Sequence, residues 1–260
     1  MKTILLALAV MALCSSCEKV ISVDLNESEK KYVVEGEVSN LTTTPNTVKI
    51  SQTKKFEEEN TFEGVSGATV TIQENDGNTY TLAETSTGIY TTTAFTGKPG
   101  SAYKLTISLN GTVFTATSKM PAQIVPLNAL TVEDLTFGDI VKTIHPDYQD
   151  PVGLGNSYRF IEYANGKQVK HVFVQNDEVS DGLRITSPLL NMDGDLKTGD
   201  VVKVDMLCID ENIYKYWYSL DQAATGNSSV TPANPVSNIN GGALGYFSAH
   251  SVTSKTILVQ

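Results

Sequence analysis

Apolar and polar residues alternate in short runs over most of the chain from Tyr32 onward. In the first run Tyr32, Val34, Gly36 and Val38 share one face, which is the period-two pattern of a half-buried β-strand. Similar runs follow at residues 68–74, 79–83, 103–109 and 112–118. About seven short strands in roughly 90 residues, with no convincing helix between them, are typical of a β-sandwich. We therefore predict a β-sandwich domain over residues 31–120.

The turn with the strongest sequence signal is Asn110-Gly111, which separates the runs 103–109 and 112–118. Asn and Gly tolerate the positive φ angles of a type I′ turn better than other residues do. The pair predicts a two-stranded hairpin at this position.

A second region begins after two closely spaced prolines, Pro121 and Pro126, which interrupt regular structure. Strand-like runs then cover residues 157–163, 168–175 and 201–209, and residues 242–259 alternate as two further strands. The pattern predicts a second β-rich domain over residues 121–260. The complete fold class is therefore mainly β, with a sandwich followed by a β-rich domain.

One amphipathic helix is expected near residues 210–225. Asp210 can cap it, while Ile213, Tyr214, Trp217 and Leu220 recur at three- and four-residue steps. Such a stripe is more often part of a core than a ligand platform. We expect it to pack on the sheet of the second domain.

The amino terminus carries a different pattern. An unbroken apolar run of about ten residues, 4–13, is half of what a transmembrane helix needs, and Ser15-Ser16 then precedes Cys17. The pattern predicts a signal peptide over residues 1–16. A cysteine at the first mature position resembles a bacterial lipoprotein signal, which implies lipidation of Cys17 and a tether over residues 17–30. A plain secretory signal is the alternative.

The net charge and the cysteine content limit the classes of partner and the covalent cross-links that this chain can have. The formal net charge is −10, and Arg159 and Arg184 are the two arginines, so binding to a phosphate backbone has no electrostatic basis and no nucleic-acid partner is expected. The same charge argues against a polybasic hold on anionic lipid, which leaves the acyl chains as the anchor. Cys208 is the one free thiol of the mature chain, so no internal disulfide is possible. Its apolar surroundings predict a buried structural cysteine.

The histidines do not form a catalytic motif. His145 precedes a proline in an expected loop, His171 alternates on an expected strand, and His250 is placed in the bend before the last strand. No Gly-x-Ser-x-Gly elbow, His-Glu-x-x-His or Cys-x-x-Cys spacing is present. We therefore expect no catalytic residues, no cofactor and no metal. A carboxylate pair for glycoside cleavage is left open, because sequence does not reveal carboxylate separations.

Two acidic segments are candidates for binding a cation or a basic partner. Residues 191–195, Asn-Met-Asp-Gly-Asp, offer oxygen ligands, but they lack the sixth-position Gly and distant Glu of an EF-hand, so a polar turn is favoured over a calcium site. Glu57, Glu58, Glu59 and Glu63 form the densest acidic patch. A solvated loop is the usual meaning of such a run, and a contact for a basic partner is the alternative.

Several segments, in this order, resemble a known family. They are Cys17–Ile21, Tyr32–Gly36, Val65–Thr71, Gly88–Tyr90, Met120-Pro121, Asp150-Pro151, Tyr158–Phe160, Ser180–Gly182, Gly199-Asp200, Tyr214–Trp217 and Gly242–Phe247. The chain is similar to Bacteroidota cell-envelope lipoproteins built on domain of unknown function 4249. The first domain also resembles immunoglobulin-like, carboxypeptidase-regulatory-like and transthyretin-like sandwiches, which usually act as spacers or binding modules.

The resemblance implies where in the cell this protein is located, but it does not imply a chemical reaction. Such lipoproteins occur beside TonB-dependent receptors, which implies a lipid-anchored outer-membrane protein on the periplasmic or cell-surface face. We expect a non-catalytic binding or accessory subunit whose partner is such a receptor. Its contact surface is expected at exposed aromatic residues of the second domain or in the loop around residues 232–235. The alternative is a structural or adhesive surface protein.

Overall fold

The computed structural model describes residues 30–54, 62–137, 139–191, 194, 196–224 and 234–260, which form a mainly β protein with one helix, as the sequence predicts. The strands are β1 Tyr32–Ser39, β2 Asn46–Gln52, β3 Thr69–Glu74, β4 Thr79–Ser86, β5 Ile89–Thr92, β6 Ala102–Leu109, β7 Thr112–Lys119, β8 Ala129–Phe137, β9 Asp139–Gln149, β10 Ser157–Ala164, β11 Lys167–Gln168, β12 Phe173–Asn176, β13 Arg184–Ile185, β14 Val201–Ile209, β15 Ile239–Asn240 and β16 Leu244–Leu258. The helix, α1, spans Glu211–Ala224. Within the described ranges, no helix combines the length and apolar character that a membrane crossing requires.

Thirteen of these strands hydrogen-bond into one continuous sheet. Its order is β11-β10-β14-β16-β1-β2-β5-β4-β3-β6-β7-β15, with β12 also paired to β10. The remaining strands form a small sheet in the order β13-β9-β8. The large sheet therefore contains strands from both the amino-terminal part of the chain, residues 31–120, and the carboxyl-terminal part, residues 121–260.

β16 joins the two parts. Its residues 244–250 pair in parallel with β1, whereas residues 251–258 pair antiparallel with β14, so the strand changes partner between His250 and Ser251. The prediction of two strands over residues 242–259 is wrong. Neither Gly nor Pro interrupts residues 246–259, and the change of partner happens without a turn.

Two apolar cores lie on this framework. The first is built mainly from β1 to β7, and it also takes Phe247 and Ala249 from β16. The second is built from β8 to β14 and reaches Val259. In β1, Val34 and Val38 enter the first core while Glu35 and Glu37 alternate onto the opposite face. The two cores therefore lie on a shared sheet, and β16 supplies the strand between them.

The structure confirms the amphipathic helix that the sequence predicts. Asp210 caps its first turn, since its Oδ1 accepts the backbone N–H groups of Asn212 at 3.0 Å and Ile213 at 3.1 Å. Ile213 and Trp217 pack in a third apolar cluster with Leu207, Ile209 and Tyr246, so the helix covers the sheet as expected.

The local turn chemistry is also confirmed. Asn110 and Gly111 have φ angles of 50° and 78° and connect β6 to β7, as a type I′ hairpin requires. Asn165 and Gly166 repeat the arrangement between β10 and β11, with φ angles of 49° and 79°.

Two features of the carboxyl-terminal part differ from prediction. The strand expected over residues 168–175 is divided into β11 and β12, because each pairs with a different stretch of β10. The hairpin of β8 and β9 was not predicted. Pro146 lies in β9, and proline usually interrupts a strand. β9 pairs with β13 through only two residues, Tyr148 and Gln149, which leaves few backbone hydrogen bonds on that side of β9 for a proline to disrupt.

Candidate functional site

Several residues singled out from the sequence fall outside the described ranges. They are Cys17, Glu57, Glu58, Glu59, Asp193, Asp195 and Pro232. Lipidation at Cys17 and the polar turn at residues 191–195 therefore stay predictions. The same holds for the solvated acidic loop and for its alternative, a contact with a basic partner.

The three histidines lie on different elements, and none has the placement expected from its local sequence. His145 lies in β9 instead of a loop, with Nε2 3.1 Å from Thr143 Oγ1 and Nδ1 2.9 Å from the Thr186 carbonyl oxygen. His171 lies between β11 and β12 instead of on a strand, and its ring packs on Phe173. His250 lies inside β16, not in a bend, because the strand continues through the change of partner.

The free cysteine and the helix aromatics behave as core residues. Cys208 is buried, as predicted, and burial raises the pKa of its thiol, which makes it a poor nucleophile. Trp217 is 8% exposed, and Tyr218 is the one aromatic side chain of α1 classed as exposed, at 48%. The apolar stripe of α1 is therefore part of a core, as the sequence predicts.

A cleft opens where the two parts meet at β16. This junction cleft has a volume of about 310 Å³. Its lining residues are Glu37, Ser39, Leu41, Thr44, Pro45, Thr47, Ile161, Tyr163, Asp205, Leu207, His250 and Val252. A neighbouring hollow of about 190 Å³ shares Glu37 and Thr47 and is also lined by Glu35, Lys49 and Tyr246.

Strand alternation places the lining side chains that come from strands on one face of the sheet, and the segment between β1 and β2 adds Leu41, Thr44 and Pro45. In β10, Ile161 and Tyr163 line the cleft while Phe160 enters the second core. β14 continues the same face, because Ile161 pairs with Asp205 across the ladder. Two-residue periodicity within each strand therefore assembles a surface from strands that are distant in sequence.

Glu37 is the carboxylate at the centre of this surface. The Tyr246 hydroxyl donates to Glu37 Oε1 at 2.8 Å. Burial acts to raise the pKa of Glu37, but the charge that His250 carries when protonated, the Tyr246 hydroxyl and the cations Arg159 and Lys49 outweigh it and hold the pKa below its usual value. Glu37 is therefore ionised at neutral pH.

The imidazole of His250 lies beside this carboxylate and is buried. Its Nδ1 is 2.9 Å from Ser248 Oγ. Burial lowers the pKa of His250, and Arg159 acts in the same direction, against the opposing effect of Glu37. The ring is therefore neutral at neutral pH.

Ser248, His250 and Glu37 together match the composition of a nucleophile, base and acid. Ser248, however, is 2% exposed and does not line the junction cleft. A serine nucleophile must reach the substrate carbonyl, so this hydroxyl is placed to orient His250 and not to attack a ligand in the cleft.

A second group of carboxylates lies at the loops that follow β9 and β12. Asp150, Asp177 and Asp181 each offer one oxygen, and these oxygens lie within 4.8 Å of one another. A hard cation accepts ligands of this kind, so these residues could hold one.

The chain's own donors already occupy most of these oxygens. Asp177 accepts the N–H groups of Gly155 at 3.0 Å and Asn156 at 2.9 Å, and Asp181 accepts that of Gly153 at 2.6 Å. Asp150 accepts the Gly182 N–H at 3.0 Å and the hydroxyl of Tyr158. The arrangement ties two loops together without needing a ligand. Sequence reasoning missed it because the three residues are brought together by loops that are separate in sequence.

The fold and the cleft together define the class of protein. It is a mainly β protein in which two parts of the chain share one sheet, and a cleft with a central carboxylate lies on that sheet where the two parts meet. A family model described as "Domain of unknown function (DUF4249)" matches residues 18–256, and the chain belongs to this family. The match spans both parts of the sheet. A search of curated proteins finds no match.

Proposed function

We propose that this protein is a lipid-anchored, non-catalytic binding or accessory subunit of the outer membrane of Bacteroidota, where it serves a TonB-dependent receptor in uptake. The observation that carries the proposal is the position of Cys17, directly after an apolar run and two small residues. An acyl chain there holds the protein at the membrane.

The distance between the anchor and the fold supports tethering. The first described residue is Lys30, and β1 begins at Tyr32. A segment of about 13 residues between Cys17 and Lys30 reaches roughly 45 Å when fully extended. Confinement within that radius raises the effective concentration of a neighbouring partner, so modest contacts are sufficient.

The chemistry of the described residues favours binding over catalysis. The junction cleft has a neutral histidine and an ionised carboxylate in its lining, while the serine beside them is buried and does not line it. A rigid sheet that spans both parts provides a stable platform for such a contact surface.

The anchor is tested by a pair of cysteine variants expressed in the native cell. Cys17→Ala is expected to move the protein from the membrane to the soluble fraction and to abolish the acyl mass on the amino-terminal peptide. Cys208→Ala, the matched control, removes the buried thiol and is expected to leave both unchanged. Membrane retention of Cys17→Ala without acylation would contradict a lipid anchor.

The partner is tested by affinity capture from outer membranes solubilised in mild detergent. One TonB-dependent receptor in near-equal amount, lost with Cys17→Ala, is the expected result. Recovery of homopolymers of this chain instead would support the structural or adhesive alternative. Recovery of no specific protein would contradict the proposal that the partner is a TonB-dependent receptor.

A further inference from the structure

The lining of the junction cleft combines aliphatic side chains with polar atoms. Leu41, Pro45, Ile161, Leu207 and Val252 contribute aliphatic surface, and most of the exposed lining is apolar. Thr44 and Pro45 are exposed and form the rim, whereas Leu207 is buried. A ligand in the cleft therefore meets both aliphatic and charged groups.

One of the two carboxylates in the lining is already neutralised. Lys203 Nζ is 2.8 Å from Asp205 Oδ1 and 2.9 Å from Oδ2. The Ser254 hydroxyl donates to Asp205 Oδ1 at 2.5 Å. Asp205 therefore has little capacity left for a cationic ligand.

Glu37 differs from Asp205 in this respect. Among the described residues, the Tyr246 hydroxyl is the one hydrogen-bond donor to its carboxylate, and it takes Oε1. Arg159 acts on Glu37 at longer range, because its guanidinium is held over the Trp217 ring with Cζ 3.4 Å from the centroid. Oε2 of an ionised carboxylate is thus left to accept a donor from a ligand.

His250 adds a second polar atom at the same place. Its ring lines the cleft and is 4% exposed, and its hydrogen bond to Ser248 uses Nδ1. Nε2 makes no hydrogen bond within the described part of the chain. A neutral imidazole can accept a hydrogen bond at this nitrogen.

From this arrangement we propose that the junction cleft binds a lysine side chain of a partner protein, with its ammonium at Glu37 and its methylene stem along the aliphatic wall. A lysine combines a flexible four-carbon stem with a compact charge that donates up to three hydrogen bonds. The exposed rim at Thr44 and Pro45 is where the partner's backbone lies.

Other ligand chemistries fit less well. An arginine gains most from two parallel hydrogen bonds to one carboxylate, and the Tyr246 hydroxyl already occupies Oε1. A carboxylate or phosphate ligand would be repelled by Glu37. A free alkylammonium would fill the stem and charge positions but would make no contact at the rim.

The test is a titration of the full-length protein, purified from membranes in a nonionic detergent. The probes are Nα-acetyl-lysine N-methylamide, its norleucine counterpart and n-butylammonium, followed by isothermal titration calorimetry and saturation-transfer NMR. The lysine probe is expected to bind at least about tenfold more tightly than the norleucine probe, which is the effect of one hydrogen bond to a charged group. Equal binding of these two would overturn the proposal, and this comparison needs no variant.

Two glutamates on β1 provide a matched pair of variants. Glu37→Gln keeps an oxygen for Tyr246 but removes the charge, and it is expected to weaken lysine binding by about tenfold or more. Glu35→Gln alters an exposed acid that lines the neighbouring hollow but not the junction cleft, and it is expected to bind within about twofold of the native protein. Unchanged binding by Glu37→Gln would contradict the site.

The rim distinguishes a partner side chain from a small amine. We expect n-butylammonium to bind more weakly than the lysine probe, since it lacks the backbone amides. If n-butylammonium binds as tightly, the occupant is a free amine and the protein partner is wrong. That the lysine belongs to a partner protein rests on the proposed function. The titration contains neither receptor nor bilayer. A failure of the lysine probe to bind is therefore a separate result from a failure to capture the receptor.

Discussion

The guanidinium of Arg159 lies over the Trp217 ring, with Cζ 3.4 Å from the ring centroid. Trp217 in turn contacts Tyr246, with 5.0 Å between the ring centroids, and the Tyr246 hydroxyl reaches Glu37. This series of contacts connects β10, α1, β16 and β1. The carboxylate of the junction cleft, which β1 contributes, is therefore positioned by side chains of the carboxyl-terminal part of the chain.

The contact between Arg159 and Trp217 is expected to contribute measurably to stability. In a double-mutant cycle with Arg159→Gln and Trp217→Leu, we expect a coupling free energy of about 1–2 kcal/mol in denaturant unfolding followed by circular dichroism. Trp217 Nε1 has no hydrogen-bond partner among the described residues, so the leucine leaves no polar group orphaned. Lys215→Gln, at an exposed position of α1, is the control, and additive single effects would contradict the coupling.

Gly245 is expected to be essential for the pairing of β16 with β1. Its φ is +98°, and a Cβ there would lie 1.9 Å from the Val34 carbonyl oxygen. Gly245→Ala should therefore lower the free energy of unfolding by about 3 kcal/mol or more, since strain and a backbone clash combine.

Gly242 provides the matched control for this substitution. Its φ is +88°, but a Cβ added there would have no other atom within 4 Å, so Gly242→Ala carries the backbone strain alone and should cost about 1 kcal/mol. Chemical denaturation of both variants decides the point. Equal losses would show that close approach to Val34 is unimportant.

Asp210 is expected to stabilise more than its own helix. Besides capping α1 with Oδ1, it accepts hydrogen bonds at Oδ2 from the Ser118 hydroxyl and, at 3.2 Å, from the Lys119 N–H. Asp210→Ala removes both functions and should cost about 2–4 kcal/mol, the sum of a lost cap and a charged hydrogen bond.

Asp210→Asn separates the two functions. The amide oxygen can still cap the helix, whereas the amide nitrogen cannot accept the bonds from β7. We expect an intermediate loss in denaturant unfolding. A loss for Asp210→Asn as large as that for Asp210→Ala would mean that the contact to β7 carries the whole effect.

Glu162 should make the protein less stable as pH rises. It is 3% exposed, no described group donates a hydrogen bond to its carboxylate, and burial raises its pKa from 4.5 to about 7. The folded state therefore binds the proton more tightly than the unfolded state, so the contribution of Glu162 is most favourable below pH 4.5 and is lost as pH rises through 7. The change amounts to about 3 kcal/mol.

Glu162→Gln is expected to remove this dependence. The difference in the free energy of unfolding between native protein and variant should grow in favour of the variant between about pH 4.5 and 7. Urea denaturation at several pH values measures it. Parallel pH profiles for the two proteins would show that the pKa of Glu162 is the same in the folded and unfolded states.

Part of the fold could be predicted because it depends on neighbours in sequence. Val201–Ile209 alternates and forms β14 over the same residues, and Asn110-Gly111 adopts the turn that its positive φ angles allow. Asp210 caps α1 because the cap and its N–H partners are two and three residues apart.

The junction cleft could not be predicted in this way. Glu37 and Tyr246 are 209 residues apart, and alternation reveals which side chains share a face of one strand but not which strands are neighbours. The expected bend at His250 was wrong for the same reason, since nothing in its local sequence marks the point where β16 changes partner.

By itself, the sequence determined the mainly β class, the hairpin turns, the capped helix and the burial of Cys208, all of which follow from local periodicity, backbone preferences and hydrophobicity. Only the tertiary structure decided that β16 pairs in parallel with β1 and antiparallel with β14, and that Glu37 and His250 meet in one cleft. The physical reason is that pairing between distant strands depends on the packing of whole faces, and that information is spread over the complete chain.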